Sequence, residues 1–163
     1  MSKSVQPIPP GREGLIPHLV CSPCEKAIEF YKRAFGAEEL SRMPSPDGRI
    51  IHAEMLIGGS PVFLVDDFPE YCGGNSSTAI ALKGTPVTIH RYVPNCDAAI
   101  KRAQDAGATV VMPAADMFWG DRYGAVVDPF GNKWSFGTHQ KDLTPDEMQK
   151  SMKGAFSQPA SAQ

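Results

Sequence analysis

The chain has 163 residues, 42 % hydrophobic and 21 % charged, with a formal net charge of −2. That length and balance fit one soluble globular domain, or two small halves sharing a core. They argue against several classes: no basic run points to nucleic acid, no apolar stretch approaches the ~20 residues of a membrane span, and the four cysteines (Cys21, Cys24, Cys72, Cys96) do not force a disulfide framework.

The opening MSKSVQPIPPGREG carries no apolar h-region, so a secretory signal is not expected and the cytoplasm is the expected compartment. Its prolines and glycines predict a flexible lead over residues 1–13. Leu15 to Cys21 reads as a strand. Ser22-Pro23-Cys24-Glu25 then opens a helix as a capping box, with Ser22 at the cap, Pro23 at the first helical position and Glu25 reaching back. Ala27, Ile28, Tyr31, Ala34 and Phe35 recur at helical spacing until Gly36 stops the helix. Strands follow over Glu38 to Arg42, Arg49 to Ile57 and Pro61 to Val65, joined through Pro46-Asp47-Gly48 and Gly58-Gly59. Asp66 to Pro86 is a long connection.

The pattern then restarts. Val87 to Val93 is a strand, Asn95 caps a helix from Cys96 to Ala106, and Thr109 to Pro113 is a strand. Phe118 to His139 supplies two more strands, Tyr123 to Val127 and Lys133 to Thr138, around the turn Asp128-Pro129-Phe130-Gly131-Asn132. Thr144-Pro145-Asp146-Glu147 is a second capping box. Met148, Met152 and Phe156 follow at spacing four, which predicts a short amphipathic helix docked on the body or on a second copy.

The restart is a repeat. His18 and His90 lie 72 residues apart (90 − 18), and Cys24/Cys96, Ala27/Ala99, Ile28/Ile100 and Ala34/Ala106 share that offset. Identity is confined to the strand–helix part; over the later strands only the order of elements repeats. The expected fold is therefore α+β: two tandem βαβββ modules, residues 14–68 and 86–140, with a 69–85 linker, a C-terminal helix over 141–156 and a flexible tail over 157–163. One helix covers one side of a sheet, so two such modules would pair as curved mixed sheets around a shared cleft.

This arrangement resembles the vicinal oxygen chelate superfamily of glyoxalase I, bleomycin-resistance proteins and extradiol dioxygenases, and within it the PhnB-like branch. The residues that carry the resemblance are AIEFYKRAFGAEEL (Ala27 to Leu40), DGRIIHAEMLIGG (Asp47 to Gly59), FWGDRYG (Phe118 to Gly124), DPFGNKWSFGTH (Asp128 to His139) and LTPDEM (Leu143 to Met148). The resemblance implies the same two-module fold. It also implies four metal-ligand positions, which fall here on Ile16, Leu64, Thr88 and Ser135. Of these only Ser135 could touch a cation, and serine is a poor ligand for Zn²⁺ or Ni²⁺, so the glyoxalase I metal site is not expected to carry over. Superfolds host many functions, so activity is argued from the site.

Side chains alternate along a strand. His18 shares a face with Ile16, and His90 with Thr88, so the repeat predicts both imidazoles at one cleft. His52 and Glu54 share a face of their strand, opposite Ile51, Ala53 and Met55. Three readings follow. The first is a protein that binds a small organic molecule in the cleft, with Trp119 and Tyr123 stacking, Arg122 offering a fork to an anion, and Ser135 and Thr88 lining the site. Arg122 is expected either to meet the ligand in this way or to be neutralised by Asp121. The second is a metal-dependent lyase, isomerase or dioxygenase that uses shifted ligands His18, His90 and Glu54 for a divalent ion, with Glu54 and His52 as acid and base. The third is a dithiol oxidoreductase through Cys21 and Cys24, where a helix N-terminus would lower a thiol pKa. The expected partners are a small-molecule ligand and a second copy, as a homodimer, with no nucleic acid and no membrane.

Overall fold

The computed structural model describes residues 6–157, with side chains through residue 155; residues 1–5 of the expected lead and 158–163 of the expected tail lie outside the described residues. In chain order the elements are β1 (His18–Val20), α1 (Cys24–Phe35), β2 (Glu38–Pro44), β3 (Ile50–Ile57), β4 (Ser60–Val65), a single 3-10 turn (Pro69–Tyr71), β5 (Thr88–Tyr92), α2 (Cys96–Ala106), β6 (Thr109–Asp116), β7 (Asp121–Val127), β8 (Lys133–His139) and α3 (Pro145–Ser157). The chain divides into two compact units between Gly84 and Thr85. Among the described residues no helix is long and apolar enough to cross a membrane.

Each unit is one four-stranded mixed sheet with one helix on one side. The orders are β1-β4-β3-β2 and β5-β8-β7-β6. In the first unit β1 runs parallel to β4 and the other pairs are antiparallel; in the second β5 runs parallel to β8 in the same way. The repeat expected from the 72-residue offset is thus a repeat of fold. The α+β class with a C-terminal helix holds.

Both helices follow their apolar spacing. In α1, Ala27, Ile28, Tyr31, Ala34 and Phe35 are buried, joined by Phe30, and Tyr31 stacks on Phe35 at 5.5 Å. They cover the side of the first sheet that carries Ala53, Met55, Ile57, Val62 and Leu64, all buried. In α2, Cys96, Ile100 and Ala103 are buried. Strand alternation puts Val126, Trp134 and Phe136 on the buried side of the second sheet.

Helix starts are where local sequence was the poorer guide. Asn95 caps α2 as expected, accepting from the Ala98 N–H at 2.9 Å. The equivalent position in α1 is Pro23, which has no side-chain acceptor, and Ser22 does not cap. The cap comes from the end of β4 instead: buried Asp66 accepts the Cys24 N–H at 2.9 Å on one oxygen and the Ile50 N–H at 2.8 Å on the other. One carboxylate so ties α1 to β3, a contact 42 residues away that no local motif encodes.

β6 runs to Asp116, three residues past the expected end at Pro113. Proline is tolerated because β6 is an edge strand with register shifts on both sides of Met112. There the β6 backbone approaches β7 so closely that a Cβ on Gly124 would sit 3.1 Å from Met112 O and the Ala114 backbone. The turn at 128–132 is organised by Asp128, whose carboxylate accepts from the Phe130 and Asn132 N–H groups, both at 2.9 Å, and from the Trp134 indole at 3.0 Å. Thr144 and Glu147 form the expected capping box, Thr144 N–H donating to Glu147 Oε2 at 2.8 Å. Every described side chain of α3 is exposed, so Met148 and Met152 are not buried against the body; Phe156, the third residue of the expected stripe, lies outside the described side chains.

Candidate functional site

The side of the second sheet that α2 leaves bare is assembled by register. His90 lies opposite Ser135 and Tyr92 opposite Gly137. Across β8, Asp121 pairs with His139, Tyr123 with Gly137, Ala125 with Ser135 and Val127 with Lys133. Alternation therefore puts Thr88, His90, Tyr92, Lys133, Ser135, His139, Asp121 and Tyr123 on one face.

At its centre His90 Nδ1 and Ser135 Oγ are 2.9 Å apart, and Ser135 is 1 % exposed. The imidazole stacks on Tyr123 at 5.8 Å with an interplanar angle of 15° and meets Tyr92 edge-on at 4.8 Å. Both rings lie over Gly137: a Cβ there would come within 3.1 Å of His90 Cε1 and Tyr92 Cε1 and 3.3 Å of His90 Nε2. Glycine at 137 is what lets the rings settle onto the sheet. Trp119 approaches Tyr123 edge-on at 5.8 Å.

Buried Asp121 anchors this group. One oxygen accepts from the Tyr92 hydroxyl at 2.9 Å and the Trp119 indole at 3.1 Å; the other is 2.8 Å from His139 Nδ1. Burial alone would raise the Asp121 pKa, but bonds from His139, Tyr92 and Trp119 outweigh it and hold the carboxylate below its ordinary value. His139 also reaches Asp142 at 2.9 Å, and Asp142 followed by Asp121 raises its pKa. The arm carrying Trp119 closes at Gly120, which has φ +97° and where a Cβ would sit 2.5 Å from Lys141 O.

Arg122, expected to meet an anion, alternates to the other side of β7. Its guanidinium pairs with Asp97 of α2 and with Asp116, 3.0 Å away, and donates to Ala114 O at 3.1 Å. Asp97 and Asp116, not Asp121, neutralise it. Thr88 is exposed at the Lys133 end of the face.

In the first unit, His18, His52 and Glu54 lie on the helix-free side. His18 meets His52 at 6.3 Å and Phe63 at 5.9 Å, both edge-on, and His52 meets Phe63 at 4.7 Å. Burial, then the neighbouring His52, lowers the His18 pKa. Glu54 Oε1 is buried with no ordinary hydrogen bond, its charge answered by the Arg12 guanidinium. Among the described residues no three His, Cys, Asp or Glu side chains gather as a metal-holding group within either unit. Of the four positions implied by the resemblance, Ile16 offers no donor and Leu64 is fully buried on the α1 side. The register partner of His18 is Phe63, as Ser135 is of His90, so Phe63 and not Leu64 corresponds to Ser135. Zinc or nickel does not fit Ile16, Phe63, Thr88 and Ser135, which offer no imidazole, carboxylate or thiolate donor.

Cys21 and Cys24 form no disulfide and are fully buried. Burial, then Cys21, then Asp66 push the Cys24 thiol up to about 12, the reverse of the lowering expected at a helix N-terminus.

The first unit also holds a cavity of about 520 Å³ that the sequence did not suggest, lined by Pro46, Ile51, Val65, Phe68 and Tyr71 with Arg49 at its polar side. Arg49 is committed: it pairs with Asp47 and Glu70, donates to Asp67 O at 3.1 Å, and lies 4.1 Å above the Phe68 ring. On the second unit's face, alternation outward from Ser135 was the available signal for Lys133, Gly137 and His139; the role of Asp121 had none.

Known proteins match this arrangement. A family model described as Glyoxalase/Bleomycin resistance protein/Dioxygenase superfamily matches residues 16–136. Uncharacterized protein Rv0887c of Mycobacterium tuberculosis is 52 % identical over 138 residues, covering 85 % of this chain and 81 % of that protein. The solved product of Arabidopsis thaliana At5g48480 is 32 % identical, covers 76 % of this chain and 96 % of its own, and superposes with a TM-score of 0.61. A Bacillus cereus PhnB protein shares the fold, at 15 % identity with a TM-score of 0.57 over 77 % of this chain and 99 % of its own.

Proposed function

The chain belongs to the glyoxalase/bleomycin resistance protein/dioxygenase superfamily, and from that premise we propose that it binds a small, flat, oxygen-bearing organic molecule on the helix-free face of its second sheet. One observation carries the reading: His90 stacked on Tyr123 over Gly137, with Tyr92 and Trp119 edge-on around them and both tied to Asp121. Aromatic faces and edges suit a flat ring, and they are held by a buried carboxylate rather than left to rotate. Arg122 is taken by α2, so the ligand's anchor on this face is His90 or Lys133.

The cavity in the first unit favours a second reading, in which an apolar ligand sits against Ile51, Phe68 and Tyr71. The metal-dependent alternative requires Glu54 to leave Arg12, which counts against it. Amide chemical-shift mapping on the full chain separates the readings, using 2-naphthoate, 2-acetylnaphthalene and 2-naphthol as probes. The reading expects saturable shifts clustered at His90, Trp119, Tyr123 and Ser135. Shifts clustered at Ile51, Phe68 and Tyr71 select the cavity, and no saturable shift with any probe overturns both.

A further inference from the structure

We infer that Ser135 fixes the tautomer of His90, so that the neutral imidazole carries its proton on Nε2 and offers it to an acceptor oxygen of the ligand. This rests on the reading that the second unit's bare face is the ligand site. Protons available at Ser135 and His90 decide the tautomer. Ser135 is 1 % exposed, and among the described residues its hydroxyl reaches one partner, His90 Nδ1 at 2.9 Å. A hydroxyl has one proton to give. If Nδ1 is bare, Ser135 donates to it and nothing is left over. If Nδ1 carries the proton, Ser135 accepts it and its own O–H is buried without an acceptor, a penalty large enough to bias the two forms by about tenfold or more. The Nε2–H form is therefore the one the fold selects.

Nε2 itself has no hydrogen-bond partner among the described residues. It lies over Gly137, with the imidazole between the edge of Tyr92 and the face of Tyr123. A ring stacked in this group is met by a fixed N–H donor. A carbonyl, carboxylate or ether oxygen satisfies that donor; an ammonium group or a bare hydrocarbon leaves it unpaired on binding. The same assignment bears on metal chemistry, because a metal on Nε2 needs the opposite tautomer, with Nδ1–H donating to Ser135.

The test reads ¹⁵N–¹H couplings of the histidine rings in the free full-length protein, with His90→Gln to assign the signal and the pH set where the ring is neutral. The expected result is Nε2–H in at least about tenfold excess at His90, with the excess reduced by Ser135→Ala. A dominant Nδ1–H form overturns the inference, and so does a ratio that Ser135→Ala leaves unchanged. The ligand arm compares 2-acetylnaphthalene with naphthalene, and at least tenfold tighter binding of the ketone is expected. Equal binding overturns the donor role while leaving the stacking site in place. If neither binds, the ligand reading falls, and the tautomer is decided by the free-protein spectrum alone.

Discussion

Asp121 is the residue on which the second unit's aromatic group depends, and its removal has a size that can be worked out. Asp121→Ala deletes a buried carboxylate that takes three hydrogen bonds, from the Tyr92 hydroxyl, the Trp119 indole and His139. Bonds to a charged acceptor contribute about 1.5–3 kcal/mol each. Two donors recover water when released, since Tyr92 is 61 % exposed and the His139 side chain 54 %. The low end therefore applies, and the three share one acceptor and do not add fully. The expected loss is about 3 kcal/mol, against about 1 kcal/mol or less for an exposed ion pair. Asp121→Asn keeps one acceptor oxygen for Tyr92 and Trp119 and should cost about 1 kcal/mol.

The loss also depends on pH. Asp121 is held below its ordinary 3.8, so its contribution is present above that value and fades as pH falls through the folded pKa. His139 is raised above its ordinary 6.5, so its part is fully present below that value and fades as pH rises through the folded pKa. The difference between wild type and Asp121→Ala is therefore largest between pH 3.8 and 6.5. Urea unfolding followed by tryptophan fluorescence measures it, and anisotropy of Trp119 should fall in the variant. A loss under about 1 kcal/mol, or one that shrinks neither at pH well below 3.8 nor at pH well above 6.5, refutes the reasoning.

Two further outcomes follow from burial. Asp66→Ala orphans the N–H groups of Cys24 and Ile50, both bonded to buried oxygens, and should cost the first unit about 3 kcal/mol in urea unfolding, while Asp66→Asn costs about half as much; a neutral Asp66→Ala denies that α1 is capped from β4. Of the cysteines only Cys72 is exposed, so one thiol per chain should react with Ellman's reagent in the native protein, and four after denaturation; two fast native thiols would revive the dithiol reading.

The frame was legible because it rests on local signals. Helical spacing in Ala27 to Phe35 and Cys96 to Ala106, the Asn95 cap and the Thr144–Glu147 box are each encoded within a few residues. The 72-residue offset between His18 and His90 also extends further than identity revealed: Phe63 and Ser135, their register partners, are again 72 apart (135 − 63). Sequence comparison missed this because a phenylalanine in one unit stands where a serine stands in the other. Taking Leu64 instead of Phe63 is a slip of one residue, which in a strand exchanges the open face for the buried one. Arg122 was misplaced for the same kind of reason: FWGDRYG shows an aromatic next to a cation, and only the start of β7 at Asp121 decides which of them faces α2. Asp66 and Asp121 were illegible, since Cys24 and Ile50 reach the one, and Tyr92 and His139 the other, from elements far along the chain.

The measurement that bears most directly on the account is the affinity of the best probe from the mapping panel for Tyr123→Ala and Tyr71→Ala, each compared with the unaltered chain by calorimetry. Tyr123→Ala removes the stacking face under His90 and should weaken binding at least tenfold, while Tyr71→Ala leaves it within twofold. The opposite pattern, with Tyr71→Ala weakening binding and Tyr123→Ala without effect, moves the ligand to the first unit and contradicts the account.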